Sequence, residues 1–262
     1  MLLAIDVGNT ATTFGLFSLR PYRNLVSPRL TWTVGTSLLK NPSRFKKLLN
    51  AHLFSQIDPG DILGVAISSV VPTIDGILKN TLKNKIKAPL LFVSSKTKSK
   101  VKVLYRNPSE VGADRIVNAR AAMVLNPRQP SLVVDFGTAT TFDCVSARGE
   151  YWGGVITPGP VISAEALYQK TAKLPLVLLE KPARILGRTT LESIQAGLYH
   201  GYRGLVREIV LQLKKKMGPR TSTLTTGGQA HWILKGLDVI DRHVPHLTLL
   251  GLYHIWHDVN KA

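Results

Sequence analysis

Two short stretches of the chain carry the same chemical groups in the same order. Residues 6–14 read DVGNTATTF and residues 135–142 read DFGTATTF, so with one residue deleted both give Asp-x-Gly followed by Thr-Ala-Thr-Thr-Phe. An aspartate at a strand end, a glycine that lets backbone N–H groups come close and a run of hydroxyls suit a polyphosphate. Amides and threonines donate to its oxygens, while the carboxylates, Asp6 and Asp135, can hold a cation that neutralises its charge. One copy alone reads as an ordinary hairpin whose Asp-Gly pair forms a turn. Two near-identical copies about half a chain apart need more than that.

Two further segments carry polar groups at turns. YRNPSEVGADRIVNARAAMVL places Gly112-Ala113-Asp114-Arg115 at the entry to a helix whose Ile116, Ala119 and Met123 share a face. In a chain poor in acids, an aspartate beside an arginine after a glycine turn can serve as a base and an anion clamp. Equally, Asp114 in a first helical turn can do no more than complement the helix dipole. Near the C-terminus, STLTTGGQAHWIL runs from a β-prone stretch through Thr225-Thr226-Gly227-Gly228 into a helix-like segment, a turn that a base or ribose could approach.

The elements that must position these groups are legible around them. LLAI before Asp6 and SLVV before Asp135 are buried-strand runs, each leading into a tight turn and a threonine-rich second strand. A helix is expected from Ser163 to Lys173, and another in GRTTLESIQAGLYHGYRG with Thr189 or Thr190 as its N-cap. Pro21 to Pro42 has no clear motif and reads as an enlarged hairpin or a loop over the first lobe. The repeat divides the chain into an N-terminal lobe, 1–125, and a C-terminal lobe, 126–262.

Composition removes several alternatives. With 44% apolar and 19% charged residues over 262 positions, the chain is globular. No apolar run approaches the roughly 20 residues of a membrane span, and the N-terminus lacks a signal-peptide pattern. Cys144 is the single cysteine, so no intrachain disulfide forms, and a cytoplasmic protein is expected. There is no GxxxxGK[ST], no GxGxxG opening a helix after a strand, and no histidine spacing of a structural zinc site. The net charge of +18, with eight lysines and no acid between Lys79 and Arg106, invites a nucleic-acid reading. Only Phe92 interrupts those lysines, so stacking aromatics are lacking, and the run reads as a solvated surface.

The motifs DVGNTATTFGLF, ISSVVP, YRNPSEVGADR, DFGTATTFD, GGVITPG, AKLP, GRTTLESIQAGLYHGY, TTGGQA and LTLLGLYHIWHDVN together resemble, in order and over nearly the full length, the type III pantothenate kinases, or Bvg accessory factor family. The resemblance implies an α/β, two-lobed actin-like ATPase fold, that of acetate kinase, hexokinase and actin, each lobe a mixed sheet flanked by helices. It implies ATP-dependent phosphorylation of pantothenate, the first step of coenzyme A biosynthesis. Residue by residue, it implies that Asp6, Val7, Gly8, Asn9, Thr10, Ala11, Thr12, Thr13 and Thr138 bind ATP. Asp135 would bind a monovalent cation, K+ or NH4+, and Asp6 would help hold Mg2+ through water. Tyr105, Gly112, Ala113, Asp114, Arg115 and Thr190 would bind pantothenate, with Asp114 the catalytic base. A homodimer is implied, with no specific nucleic acid and no membrane partner. The alternatives are a nucleic-acid-associated regulator of the same fold, or a kinase of another small hydroxylated acid.

Overall fold

The computed structural model describes residues 1–19 and 26–260 of the chain. It separates into two compact units, Met1–Leu125 with His246–Ala262, and Asn126–Pro245. In the first unit, β1 (Leu2–Val7), β2 (Ala11–Phe17), β3 (Leu30–Gly35), α1 (Pro42–Leu49), β4 (Gly64–Ser69), α2 (Pro72–Lys83), β5 (Leu90–Phe92), the two-residue β6 (Lys102–Val103) and α3 (Ala113–Leu125) follow in order. The second unit holds β7 (Ser131–Phe136), β8 (Ala139–Val145), β9 (Glu150–Pro158), α4 (Pro160–Lys170), α5 (Thr190–Met217), β10 (Ser222–Thr226), α6 (Ala230–Ile233) and β11 (Arg242–His243). The closing helix, α7 (Leu247–Asn260), returns to the first unit.

The duplication seen in nine residues extends to whole sheets. The first runs β3-β2-β1-β4-β5, and the second contains β9-β8-β7-β10-β11 in the corresponding order. In each, the central strand, β1 or β7, pairs antiparallel with the next strand and parallel with the fourth. The outer pairs match as well: β2 with β3 and β8 with β9 are antiparallel, β4 with β5 and β10 with β11 parallel. Central strands flanked on both sides lack a solvated face, which is why LLAI and SLVV are unbroken apolar or small runs; all eight residues are buried.

One face of the first sheet, with Leu3, Ile5, Phe14, Val65 and Ile67, packs with Phe45 and Leu49 of α1 and with Ile74, Leu78 and Leu82 of α2. Asn41 caps α1 by accepting from the Arg44 amide at 3.0 Å, and Pro42 occupies a first-turn position where its missing N–H costs nothing. Helix α7 covers part of the other face, with Leu249 against Gly15 and Trp256 against Gly64. In the second unit, Leu132, Val134, Phe136 and Phe142 pack with Tyr199, Tyr202, Val206 and Val210 of α5.

Several expectations shift. The C-terminal segment from His246 belongs with the first unit, not with residues 126–245, because α7 finds its apolar partners on α3, β1 and β4. The helix expected over Ser163–Lys173 starts earlier, at Pro160, and ends at Lys170, since Thr171 is extended. Of Ile116, Ala119 and Met123, the first two are buried and Met123 is half-buried, and burial is not confined to their face, since every residue of α3 from Arg115 to Ala122 is buried. Within Pro21–Pro42, β3 makes a third antiparallel strand beside β2, while residues 20–25 lie outside the described residues.

The lysine run is exposed over Lys83, Lys85, Lys87, Lys96 and Lys98, and Lys100, whose side chain is also exposed, makes an ion pair as well. Lys100 has a left-handed backbone, φ 60°, and its Nζ lies 3.0 Å from Oδ1 of Asp258 in α7. Arg120 of α3 grips the same carboxylate through two bonds, Nε to Oδ2 at 2.6 Å and Nη2 to Oδ1 at 3.2 Å. Burial pushes the Asp258 carboxyl up, and the bonds from Arg120 and Lys100 outweigh it, leaving it below the usual aspartate value.

Candidate active site

The first hairpin puts Asn9, Thr10 and Ala11 at an exposed tip. Its turn closes through Gly8 N to Ala11 O at 3.0 Å. Thr36, just beyond β3, braces it from behind: its amide donates to Thr10 O at 2.9 Å and its hydroxyl to Gly8 O at 2.6 Å, and it shares a bond of 2.9 Å with the fully buried Thr12 hydroxyl. Thr12 and Val7 therefore turn their side chains into the protein, and a ligand at this turn would meet them through the backbone. Thr13 lies on the opposite face, level with Asp6 on β1, and bonds to Thr33 at 3.1 Å.

The second hairpin has the same construction with a different brace. Gly137 N donates to Ala139 O at 3.2 Å, and Thr138 O accepts from Gly159 N at 3.0 Å. Thr140, the counterpart of Thr12, is fully buried and hydrogen-bonds to the Tyr202 hydroxyl of α5, which also reaches Pro158 O at 3.2 Å. Burial pushes the Tyr202 hydroxyl pKa up, and its bond to Thr140 acts against that. Thr141 is level with Asp135 on β7, as Thr13 is with Asp6.

The TTGG turn folds onto Asp135. Gly227 has φ +95°, and a side chain there would lie 2.6 Å from Asp135 Oδ1 and 2.5 Å from the Phe136 backbone, so only glycine fits. Gln229 N donates to Phe136 O at 3.0 Å and fixes the turn to β7. Gly228, by contrast, faces open space, so of the two glycines it is the one a flat group could approach.

On α3, the half-buried Asp114 folds back over its own entry turn. Its Oδ1 accepts from the Arg115 amide at 2.8 Å and occupies the place, 2.5 Å away, where a Cβ on Gly112 would sit. The glycine before Asp114 thus makes room for the carboxylate, which is held at a defined angle. Arg115 and Ala113 are both buried, whereas Tyr105 is half-buried at the end of the preceding segment. Asn107 shapes the turn between them, accepting from Ser109 N at 3.2 Å and donating to Glu110 at 3.0 Å.

Thr190 is exposed at the first position of α5, and the N-cap is Thr189, whose hydroxyl accepts from Glu192 N at 3.2 Å. Glu192 reciprocates toward Arg188 N at 2.7 Å. That backbone bond, opposed by desolvation and helped by Arg184, lowers its pKa. Within the first unit Asp6, Thr13, Asp114 and Arg115 are thus placed as described, and within the second Asp135, Thr138 and Thr190. Among the described residues no group of three or more His, Cys, Asp or Glu could hold a metal, and no helix is long and apolar enough to cross a membrane.

Thr36, Tyr202 and Asp143 were not singled out from sequence. Nothing in the sequence marks Thr36 or Tyr202. Asp143 could have been found as a position where the two copies part, since its counterpart is Gly15.

Comparison with known proteins adds to this. A family model described as type III pantothenate kinase matches residues 2–212. Relatives named type III pantothenate kinase from Koribacter versatilis strain Ellin345 and Anaeromyxobacter sp. strain Fw109-5 are 44% and 41% identical, over 98% and 100% of this chain and 95% and 100% of theirs. A solved structure from Campylobacter jejuni, described as a Baf family transcriptional activator, has a TM-score of 0.58 at 18% identity, covering 99% of this chain and 100% of that one. A ROK family glucokinase from Streptomyces griseus, solved with glucose and AMPPNP, has a TM-score of 0.51 at 12% identity, covering 96% and 97%. At such identities the structures establish the fold alone, that of the actin-like ATPases, in agreement with the α/β expectation. The match of sequence along the whole length establishes more: the chain belongs to the type III pantothenate kinase family.

Proposed function

We propose that this chain transfers the γ-phosphoryl group of ATP to the primary hydroxyl of pantothenate, the first step of coenzyme A biosynthesis. The observation that carries the reading is the full-length identity to proteins named for that reaction. The twice-built hairpin with an aspartate at the same register supports it. ATP would be held by residues 6–13 and by Thr138. Pantothenate would be held by Tyr105, residues 112–115 and Thr190, with the Arg115 guanidinium on its carboxylate.

The residues present fit weakly held cations better than a caged metal. A single carboxylate per hairpin, with the phosphates completing the shell, is the usual arrangement for magnesium. Asp6 would hold Mg2+ through water, and Asp135, pressed against the bare Cα of Gly227, would hold K+ or NH4+. When bound, these ions neutralise charge on the phosphates.

An alkanol is far less acidic than a carboxylic acid of pKa about 4, so Asp114 would not deprotonate the acceptor in advance. It would orient the hydroxyl, with the Arg115 amide fixing the carboxylate at 2.8 Å, and take the proton late. That suits a loose transition state in which positioning supplies most of the catalysis.

A homodimer acting in the cytoplasm completes the reading. It is supported by exposed apolar side chains on the second unit around α4 and the segment before α5, with Leu178, Leu186 and Ile185 at 75%, 74% and 66% exposure. An open apolar groove of about 470 Å³ lies along α5 beside Ile185 and Leu186. A second copy would cover such a surface, and Leu178→Glu with Leu186→Glu should shift the molar mass in light scattering from dimer to monomer.

The test of function is direct: purified protein with ATP, Mg2+, K+ and pantothenate should yield phosphopantothenate by mass spectrometry. No product, together with duplex DNA binding that is tight, weakens steeply with salt and ignores ATP, would instead favour a nucleic-acid-bound regulator. The net charge of +18 is the observation behind that second reading.

A further inference from the structure

Each central aspartate lies in a row of three oxygen-bearing side chains at one level across its sheet. In the second unit, Asp135 is opposite Thr141 on β8 and level with Thr226 on β10. In the first, Asp6 is opposite Thr13 on β2 and level with Ser68 on β4. Side chains in direct register share a face, with Cβ atoms about 4.5–5.5 Å apart in antiparallel pairs, so each row is a hydroxyl, a carboxylate and a hydroxyl.

The rows differ in where the hydroxyl protons go. Thr141 Oγ1 donates to Asp143 Oδ2 at 2.8 Å. Asp143 is fully buried and takes a second bond, at 2.7 Å, from the hydroxyl of the fully buried Tyr151. Thr226 Oγ1 donates to the Pro245 carbonyl at 3.4 Å. Carboxylates and carbonyls only accept here, so both hydroxyls flanking Asp135 spend their proton away from it. What they retain toward Asp135 is lone pairs. The first row has no such arrangement: Thr13 shares its bond with another hydroxyl, Thr33, the position matching Asp143 is Gly15, and Ser68 Oγ is buried without a hydrogen-bond partner.

We propose that Thr141 and Thr226 are oxygen ligands beside Asp135 in a monovalent-cation site, and that Asp143, held by Tyr151, is the positioning residue that turns the Thr141 oxygen toward the ion. The inference rests on the reading of Asp135 as the monovalent-cation residue. A row of acceptors with no proton left to give favours a cation and disfavours phosphate. Large, weakly hydrated cations are coordinated directly by such neutral oxygens. In the first row the Ser68 hydroxyl gives its proton to no other group, which suits a hydrated ion.

The test compares the thermal midpoint of the protein with Mg2+ and AMPPNP in KCl against NaCl at equal ionic strength, with 205Tl NMR as a direct readout of the site. Stabilisation by a ligand follows its affinity, so potassium should raise the wild-type midpoint above that in sodium. Thr141→Val, nearly isosteric, and Asp143→Asn should each weaken apparent K+ affinity about tenfold or more, the size of one lost charge-assisted contact, while Thr141→Ser retains it. Asp135→Asn is the control.

If wild type ignores potassium, or Asp135→Asn still responds to it, the underlying reading fails and the inference with it. If Asp135→Asn loses the response but Thr141→Val and Asp143→Asn keep it, with the midpoint merely lowered, the inference alone is overturned and the buried pair only braces β8 to β9. Should Asp143→Asn fail to fold, Thr141→Val decides.

Discussion

Replacing Asp258 with asparagine tests whether the acceptor-side elements are held by charge. Its side chain is 4% exposed, and that of its partner Arg120 is 10% exposed. The pair is bidentate at 2.6 and 3.2 Å. Removing one member of a buried pair costs about 3–5 kcal/mol, because the other charge stays buried. Lys100, 64% exposed, adds no more than about 1 kcal/mol. Asparagine keeps one acceptor for Arg120, so the loss should fall at the lower end, about 3 kcal/mol. At about 2–4 °C per kcal/mol for a protein of this size, that lowers the thermal midpoint by about 6–12 °C.

Acid should remove the difference. The Asp258 carboxyl lies below its usual value. Its contribution is therefore complete above the ordinary aspartate range, about 4, and is lost as pH falls through the lowered native value. Melts of the two proteins from pH 8 downward should run parallel near neutrality and converge only below about pH 4. The clamp holds Lys100, which precedes Tyr105, and Arg120, which lies beyond Asp114 on the same helix α3, so KM for pantothenate should also rise more than KM for ATP. A midpoint unchanged at pH 7, or a gap that persists undiminished in acid, would refute the reasoning.

Asp114→Asn keeps the shape but loses basicity, so kcat should fall by about two to four orders of magnitude while ATP binding by calorimetry stays near wild type. A near-normal rate would leave Asp114 as a helix-dipole residue. Arg115→Lys replaces a planar fork with a point charge, so the KM for pantothenate should rise and that for ATP should not; equal changes in steady-state assays would mean that the buried arginine only shapes the turn. Replacing the exposed Lys96 and Lys98 with glutamine should leave turnover unchanged, and a large loss would show that this surface acts in catalysis.

The hairpins were legible because two signals coincide there, an apolar run that only a central strand needs and a repeat of polar residues that no fold requires by chance. The rest of the duplication was not legible. The sheets repeat in order and sense, but strand positions away from the turn require only apolar residues of suitable size, and those diverge freely. The place of α7 was hidden for a related reason. LTLLGLYHIWHDVN is apolar nearly all round, which says that the helix is buried but not against what; Leu249 at Gly15 and Trp256 at Gly64 decide that. Lys100 is exposed, as the basic run suggests, but its ion-pair partner was not legible, because a lysine in such a run shows its composition and not its partner, and Asp258 is 158 residues further along the chain.

The four-residue run Thr-Ala-Thr-Thr illustrates how one composition can specify three roles. In a strand, successive side chains alternate between faces. Thr10 and Thr138 fall at the turn, exposed in the first copy and half-buried in the second. Thr12 and Thr140 face inward, fully buried, and each meets a hydroxyl supplied from elsewhere, Thr36 in one unit and Tyr202 in the other. Thr13 and Thr141 face the aspartate. A buried hydroxyl without a partner costs about 1–3 kcal/mol, so the inward threonine is tolerable only where a second hydroxyl arrives. That two unrelated residues perform this service implies that the inward hydroxyl is needed in both halves. The physical reason is stiffness: a turn that presents backbone amides to a charged ligand must hold them in place before the ligand arrives, or spend binding energy ordering them afterwards. Hence the threonines farthest from any ligand belong to the site as much as those at its edge.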